Sequence, residues 1–86
     1  MSFENDICKV SSKIFSNVFK KQITVNRKLS SKDIENWDSL NHIKLILEHE
    51  KYFNIRFSSY EISNLINYGD FYDLIIDKIE KSKQQY

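Results

Sequence analysis

The sequence lacks proline altogether and has a single glycine, Gly69, among its 86 residues. Short strands joined by tight hairpins need these residues at their turns, so the composition argues against a sheet protein. An all-α fold is therefore expected. With 41% hydrophobic residues, a chain of this length supports one modest core, and a single domain over residues 1–86 is predicted.

Cysteine, excess charge and long apolar runs are equally scarce. Cys8 is the only cysteine, which excludes an internal disulfide and a multi-cysteine metal site and suits a reducing cytosol. The 13 basic and 12 acidic residues leave a net charge of +1, which gives no support to a nucleic-acid or bilayer partner. No apolar run approaches the ~20 residues of a membrane span, and the first residues do not resemble a targeting segment. A soluble, cytoplasmic protein is expected.

The first half of the chain divides into a helix and a loop. Apolar residues at helical spacing predict a first helix over about residues 3–20. Residues 22–36 lose that period and indicate a loop whose length is more often functional than idle. The apolar stripe of the first helix comprises Ile7, Val10, Ile14 and Val18. The side chains expected to anchor the loop are Ile23, Val25, Leu29 and Ile34.

The second predicted helix starts at Asp38 or Ser39, either of which can cap it, and reaches Phe53. Its buried stripe is predicted to contain Ile43, Ile46 and Phe53. His49 falls on the same face and is expected to be a partly exposed histidine at the edge of the core. Leu40 and Leu47 fall on a second apolar edge.

Two further helices complete the chain. Ser58 or Ser59 caps a short third helix, residues 67–69 break it, and Asp70 is expected to cap the last helix. The buried stripe of the last helix is predicted to be Phe71, Leu74, Ile75 and Ile79.

Residues 37–46 read Trp-Asp-Ser-Leu-Asn-His-Ile-Lys-Leu-Ile and continue with Glu48, Glu50, Phe53 and Ile55. This string resembles the acyl carrier protein family. The resemblance runs from about Ile34 to Ile79, and the first helix agrees only in length and pattern. It implies a small four-helix bundle of acyl-carrier-protein type, with three longer helices, one short third helix and a long first loop.

The family esterifies the serine at the start of the second helix with 4'-phosphopantetheine, taken from coenzyme A by a separate magnesium-dependent transferase. The resemblance implies that Ser39 is the attachment site, and that the arm holds an acyl or aminoacyl group as a thioester. A helix N-terminus is also a favourable place for a phosphodiester anion. On the triplet alone, Ser39 would equally be a plain N-cap hydroxyl. A carrier of this kind is not an enzyme, because its partners supply the catalysis.

The resemblance also implies a docking surface on the second helix. Leu40 and Leu47, with Lys44 between them, are predicted to form a docking edge, framed by Asp38 and Glu48. The expected partners are the phosphopantetheinyl transferase, or holo-carrier synthase, and the enzymes that load and unload the cargo. The carrier itself is expected to be a monomer. Acidic residues expected around the docking face are Asp33, Glu35, Asp38, Glu48 and Glu50.

The near-neutral charge departs from that of many fatty-acid-synthesis carriers, which are strongly acidic. Lys44 and Lys51 interrupt the second-helix face, and Trp37 before the triplet resembles stand-alone carriers of polyketide, peptide, cell-surface sugar or aminoacyl transfer systems. A specialised bacterial pathway is therefore favoured over general fatty acid synthesis. The alternative is an adaptor subunit that keeps the carrier fold without transferring cargo.

The two histidines are not expected to bind a metal. His42 and His49 are seven residues apart, whereas two histidines on one helix usually share a metal at i, i+4 spacing. His42 is instead expected near the mouth of the cavity where the arm or acyl chain docks. Trp37 is expected to be a loop anchor that covers the helix ends.

Overall fold

The computed structural model describes residues 3–83 of the chain. Four α-helices follow one another, and no strand occurs within these residues. The helices are α1 (Phe3–Phe19), α2 (Ser39–Phe53), α3 (Ser59–Ser63) and α4 (Tyr68–Lys83). The predicted all-α class is confirmed, together with the short third helix and the long first loop. Among the described helices, none combines the length and apolar character needed to cross a membrane.

Side-chain caps open α2 and α3. The Asp38 carboxylate accepts from the Asn41 N–H at 2.9 Å at the start of α2. Ser58 and Glu61 form a reciprocal capping box at α3, in which each side chain accepts from the other residue's N–H. Such caps satisfy amides that have no partner within the helix, each stabilising the helix by about 1 kcal/mol.

The cap of α4 differs from the sequence prediction. Asn67 Oδ1 accepts from the Asp70 N–H at 3.0 Å, so Asn67 and not Asp70 is the capping residue. A cap must stand just outside the helix, and Asp70 lies within the first turn because α4 begins at Tyr68. The Asp70 carboxylate instead reaches back to the Ile66 N–H at 3.1 Å.

The helices and the first loop bury a shared apolar cluster. The predicted anchors Val25, Leu29 and Ile34 are all buried, and Ile23 packs against them partly buried. The buried members of the cluster from the helices and the connector are Ile7, Ile14, Phe15, Leu45, Ile46, Ile55, Tyr68, Phe71, Tyr72 and Ile75.

The buried face of α2 is rotated from the predicted one. Ile43 is 54% exposed, whereas Leu45, predicted only to flank the stripe, is 2% exposed. Successive residues turn by about 100°, so Ile43 lies about 120° around the helix from His49, which is at the centre of the buried face. The predicted core residue Phe53 is only half-buried. The three-residue spacing of Ile43 and Ile46 is compatible with either orientation, and packing against α1 selects one.

Serines of α1 hold the first loop in place. Ser12 Oγ accepts from the Val25 N–H at 3.0 Å, and Ser16 Oγ both accepts from the Ile23 N–H and donates to the Ile23 carbonyl. The loop thus obtains from α1 hydrogen-bond partners for the backbone groups of Ile23 and Val25, which belong to no helix.

The far side of the loop is bonded to the first turn of α4. The Leu29 carbonyl accepts from the Tyr68 N–H at 2.7 Å, and the Arg27 carbonyl accepts from the Gly69 N–H at 3.0 Å. A Cβ on Gly69 would stand 3.0 Å from the Arg27 carbonyl oxygen, so the glycine permits this close approach. Gly69 therefore lies within α4 and does not break the chain there.

Candidate functional site

Ser39 is the first residue of α2 and its side chain is exposed. The capping role belongs to Asp38, so the Ser39 hydroxyl is not needed to cap the helix. Helix geometry leaves the N–H groups of Ser39 and Leu40 without an intrahelical acceptor, while that of Asn41 is bonded to Asp38. The exposed hydroxyl therefore stands beside two amides at the positive end of the helix.

The chain enters α2 through a fixed turn. Asn36 has a left-handed backbone with φ of 68°, a conformation that asparagine tolerates better than most residues. Its carbonyl accepts from the Asp38 N–H at 2.9 Å and from Asn41 Nδ2 at 2.7 Å. These bonds hold the residue before Ser39 and the residue two beyond it against the same oxygen.

Trp37 anchors this turn to α1, as predicted. Its ring packs edge-on against Phe15 with centroids 5.4 Å apart and lies 5.8 Å from the Phe19 ring. Its Nε1 donates to His42 Nδ1 at 3.2 Å. An indole N–H can only donate, so neutral His42 carries its proton on Nε2. Burial lowers the pKa of His42, which favours this neutral form.

A cavity of about 130 Å³ lies beside the first turn of α2 and is partly lined by His42 and Trp37. The exposed residues Ser31 and Ile66 belong to its rim. Three of its buried lining residues are aromatic rings, called here the aromatic floor: Phe15, Tyr68 and Phe71. The remaining lining residues are Leu45, Ile46, Leu65 and Asn67. His42, one turn beyond Ser39, thus lines the cavity near which it was expected.

The imidazole of His49 lies behind the aromatic floor and is 0% exposed, which corrects the predicted partly exposed position. His49 Nδ1 donates to the Leu45 carbonyl at 2.7 Å, because a carbonyl can only accept. Nε2 therefore accepts from Ser11 Oγ at 2.9 Å, and Ser11 in turn accepts from the Tyr68 hydroxyl at 2.7 Å. We call Tyr68, Ser11 and His49 the polar chain.

Burial governs the protonation of the polar chain. It lowers the pKa of His49 to about 4, against a weaker opposing effect of the hydrogen bond to Leu45. Burial likewise raises the pKa of Tyr68. Both groups are therefore neutral at physiological pH, and each of their polar atoms has a partner. The sequence concealed this arrangement because Ser11 is 38 residues from His49.

The outward face of α2 carries an apolar strip that is open to solvent. Leu40 is 62% exposed, and Ile43 and Leu47 are each 54% exposed. These three residues, called here the outer strip, lie within about 60° of arc on the helix. Ile43 was missed as a member because its spacing had assigned it to the core. Lys44 is exposed beside the strip.

Asp38 and Glu48, the two residues predicted to frame this surface, have different surroundings in the structure. Asp38 is exposed but serves as the α2 cap. Glu48 is about 100° around the helix from Leu47 and lines an open groove against α1 with Tyr52 and Cys8. Glu48 therefore lies between the outer strip and this groove.

Two acidic residues near α2 also accept hydrogen bonds from the backbone. Glu50 Oε2 accepts from the Phe57 N–H at 2.8 Å, and Asp33 Oδ2 accepts from the Ser30 N–H at 2.9 Å. These two carboxylates therefore also stabilise the local backbone. Across residues 3–83, no group of three or more potential metal-ligating side chains is arranged to hold an ion.

The chain matches no family model and no curated protein sequence. Its structure is similar to that of the holo acyl carrier protein from Geobacter metallireducens, solved by NMR in solution, with a TM-score of 0.84 and 34% identity. That match covers 92% of each chain. The crystal structure of the acyl carrier protein from Thermotoga maritima is also similar, with a TM-score of 0.78, 26% identity, and coverage of 91% of this chain and 92% of that one.

These likenesses extend over nearly the whole chain and include the order of all four helices. They show that the chain is a small helical carrier protein and not an enzyme. The chain belongs to the acyl carrier protein family.

Proposed function

We propose that Ser39 is the attachment site of a 4'-phosphopantetheine arm, and that the chain carries an acyl or aminoacyl group on it as a thioester. One observation carries the proposal. Ser39 is exposed at the first position of α2 inside the Asp-Ser-Leu motif, and Asp38 has taken over the capping role that would otherwise occupy its hydroxyl. The Geobacter relative, at 34% identity, is itself described in a holo form.

The residues around Ser39 suit a phosphodiester. The first turn of α2 contains no acidic side chain, so the carboxylate nearest in sequence to an anion on Ser39 is that of the capping residue, Asp38. The Asp38 carboxylate is bonded to the Asn41 N–H. The N–H groups of Ser39 and Leu40 are available to anionic oxygens, and the helix dipole adds to this attraction.

Activation of Ser39 is expected to come from a partner. The hydroxyl oxygen forms the new O–P bond, the pyrophosphate bond of coenzyme A breaks, and adenosine bisphosphate leaves. The proton of Ser39 needs a base, and the lone pair of His42 Nδ1 already accepts from Trp37. A transferase is therefore proposed to supply both the base and the magnesium. Once attached, the arm supplies a thiol that holds the cargo as a thioester.

The surface of α2 supports a specialised bacterial pathway rather than general fatty acid synthesis. The chain has a net charge of +1, and Lys44 stands beside the apolar outer strip. Partners that dock here would gain from burying apolar side chains more than from a strongly acidic field. We propose that the transferase and the cargo-loading enzymes contact Leu40, Lys44 and Leu47, with Ile43 added to the predicted set. Asp38 and Glu48 are proposed at the margins of that contact.

The proposal is tested by modification of the whole chain. Incubation with coenzyme A, magnesium and a broad-specificity transferase should add one arm, seen as a single increase in intact mass. Ser39→Ala should abolish the increase. Ser59→Ala is the matched control, because Ser59 is also exposed at the first position of a helix, and it should leave the increase unchanged.

Two results would contradict the assignment. Labelling of Ser39→Ala would move the site elsewhere. Wild-type protein that remains unmodified with the transferase, and is also unmodified when purified from its native cell, would favour the adaptor alternative.

A further inference from the structure

The aromatic floor supplies three of the buried side chains that line the cavity beside α2. Phe15, Tyr68 and Phe71 are 1%, 2% and 6% exposed, respectively. Phe15 and Tyr68 pack edge to face, with ring centroids 5.9 Å apart. The cavity volume of about 130 Å³ is close to that of an engineered apolar cavity of ~150 Å³ that holds benzene. A group of about four to six carbon atoms therefore fills the available space.

The polar chain resists deepening of the cavity. Tyr68 cannot swing aside without breaking its bond to Ser11, and that movement would expose the Ser11–His49 pair to an apolar occupant. A buried polar group that loses its hydrogen-bond partner is destabilised, because its desolvation is no longer compensated. This cost in free energy opposes the free energy gained by burying more of an alkyl chain.

Phe71 is held in place by contacts with neighbouring rings. Its ring lies 4.7 Å from the His49 ring in an edge-on contact and 5.4 Å from the Phe57 ring. Movement of Phe71 would therefore disturb the side chains behind it as well as the floor itself. An interior packed at crystal-like density makes such movements costly.

We propose that the aromatic floor, held by the polar chain, limits the cargo sequestered by this carrier to short acyl groups of about four to six carbon atoms. Longer alkyl chains stay outside the bundle. This inference rests on the proposed function, because the cargo reaches the cavity on an arm at Ser39. Tyr68 and Phe71 are the residues that set the limit, and His49 and Ser11 are positioning residues behind them.

The test varies the length of the cargo. A transferase that accepts acylated coenzyme A attaches arms bearing butyryl, octanoyl or dodecanoyl groups, and intact mass confirms each product. The butyryl form should melt about 4 °C above the form with the bare arm, because its carbons become buried. The octanoyl and dodecanoyl forms should melt within about 1 °C of the bare-arm form. Methyl NMR signals of Leu45 and Ile46, which line the cavity, should shift only with the butyryl group.

Two variants with the same substitution separate the floor from general packing. Phe71→Leu should open the cavity, so its octanoyl form should melt above its own bare-arm form. Phe53→Leu is the control, since the Phe53 ring contacts His49 and Tyr52 and does not line the cavity, and it should keep the short-cargo limit. Tyr68→Phe, which removes only the hydroxyl bonded to Ser11, replaces Phe71→Leu if that variant does not fold.

The outcomes distinguish this inference from the proposed function. An octanoyl or dodecanoyl form of the wild type that melts well above the butyryl form, with shifted Leu45 and Ile46 methyl signals, overturns the length limit alone. Failure to modify Ser39 overturns the proposed function. The limit is then tested on the unmodified protein with free 1-butanol and 1-octanol. Butanol alone should shift the same methyl signals, and equal or larger shifts with octanol overturn the limit.

Discussion

The two faces of α2 differ in how far their side chains are exposed to water. On the inner face, Leu45 is 2% exposed, and even the polar His49 is fully buried with both ring nitrogens bonded. On the outer face, Leu40 and Leu47 are large and apolar but mostly in contact with water. Some of the most hydrophobic residues of α2 therefore lie where they contribute little to the stability of the fold.

This difference shows that hydrophobicity alone does not locate the core of a small helical protein. The inner face is defined by partners contributed from distant segments, such as Ser11 on α1 and Tyr68 on α4. The outer strip has no comparable cover among the described residues. Exposed apolar residues that are clustered and not scattered are typical of contact with a partner.

The largest expected effect comes from making the same change on both faces. Leu45→Ala should reduce the free energy of unfolding by about 2 to 5 kcal/mol, because it removes a buried side chain and leaves a cavity. Leu47→Ala should change it by less than about 0.5 kcal/mol. Chemical denaturation of the two variants measures both values. Similar losses would show that the two faces are packed alike.

The pH dependence of stability tests the burial of His49. The folded state holds the pKa of His49 at about 4, compared with the ordinary value of 6.5, so the unfolded chain binds this proton first as the pH falls. Stability should therefore decrease between about pH 6.5 and pH 4, and the loss at pH 5 should be about 2 kcal/mol.

Replacement of His49 should remove most of this dependence. His49→Leu should have a flatter profile of unfolding free energy against pH, because the group that protonates on unfolding is gone. His42→Gln serves as the control and should retain the contribution of His49. A profile of His49→Leu that parallels the wild type would assign the pH dependence to other groups.

The outer strip should matter for recognition and not for folding. Leu47→Ser should slow modification or cargo loading by about tenfold, with a melting temperature close to that of the wild type. Tyr52→Ser is the comparison, since Tyr52 is 65% exposed but lies away from the strip. Its rates should be unchanged. Normal rates for Leu47→Ser with every cognate enzyme would exclude Leu47 from the interface.

The smallest effect is expected from charge at the edge of the strip. Lys44→Glu should change the rate of association with a partner by about two- to threefold at low salt and leave the unfolding free energy nearly unchanged. Added salt should reduce the difference, because charges at the rim of an interface act through screened attraction. A rate difference that persists at high salt would show that Lys44 acts through more than screened charge attraction.

Local patterns were sufficient to predict the helices, the loop anchors and the exposure of Leu40 and Leu47. Helical periodicity and the Asp-Ser-Leu motif are both properties of neighbouring residues, so they can be recognised without knowing the tertiary contacts. The role of Trp37 as an anchor followed from its position before the helix. Its hydrogen bond to His42, which fixes the proton on Nε2, was not apparent from the sequence.

The errors occurred where a distant segment determines the outcome. His49 is buried because Ser11 supplies a hydrogen bond, and Ile43 is exposed because α1 packs against the Leu45 side of the helix. Asn67, and not Asp70, caps α4 because the helix starts earlier than predicted. It starts where the loop carbonyls of Arg27 and Leu29 accept hydrogen bonds from its first amides. None of these partners is adjacent in sequence.

The bonds from the loop to α4 give the protein an internal reporter of loop docking. In an isolated helix, the amides of Tyr68 and Gly69 would lie in the first turn and exchange their hydrogens with water almost freely. Here each amide donates to a loop carbonyl about 40 positions earlier in the chain, at Leu29 and Arg27. Their hydrogen-exchange rates therefore measure how often the loop detaches, from a position remote from Ser39 and without any label on the loop itself.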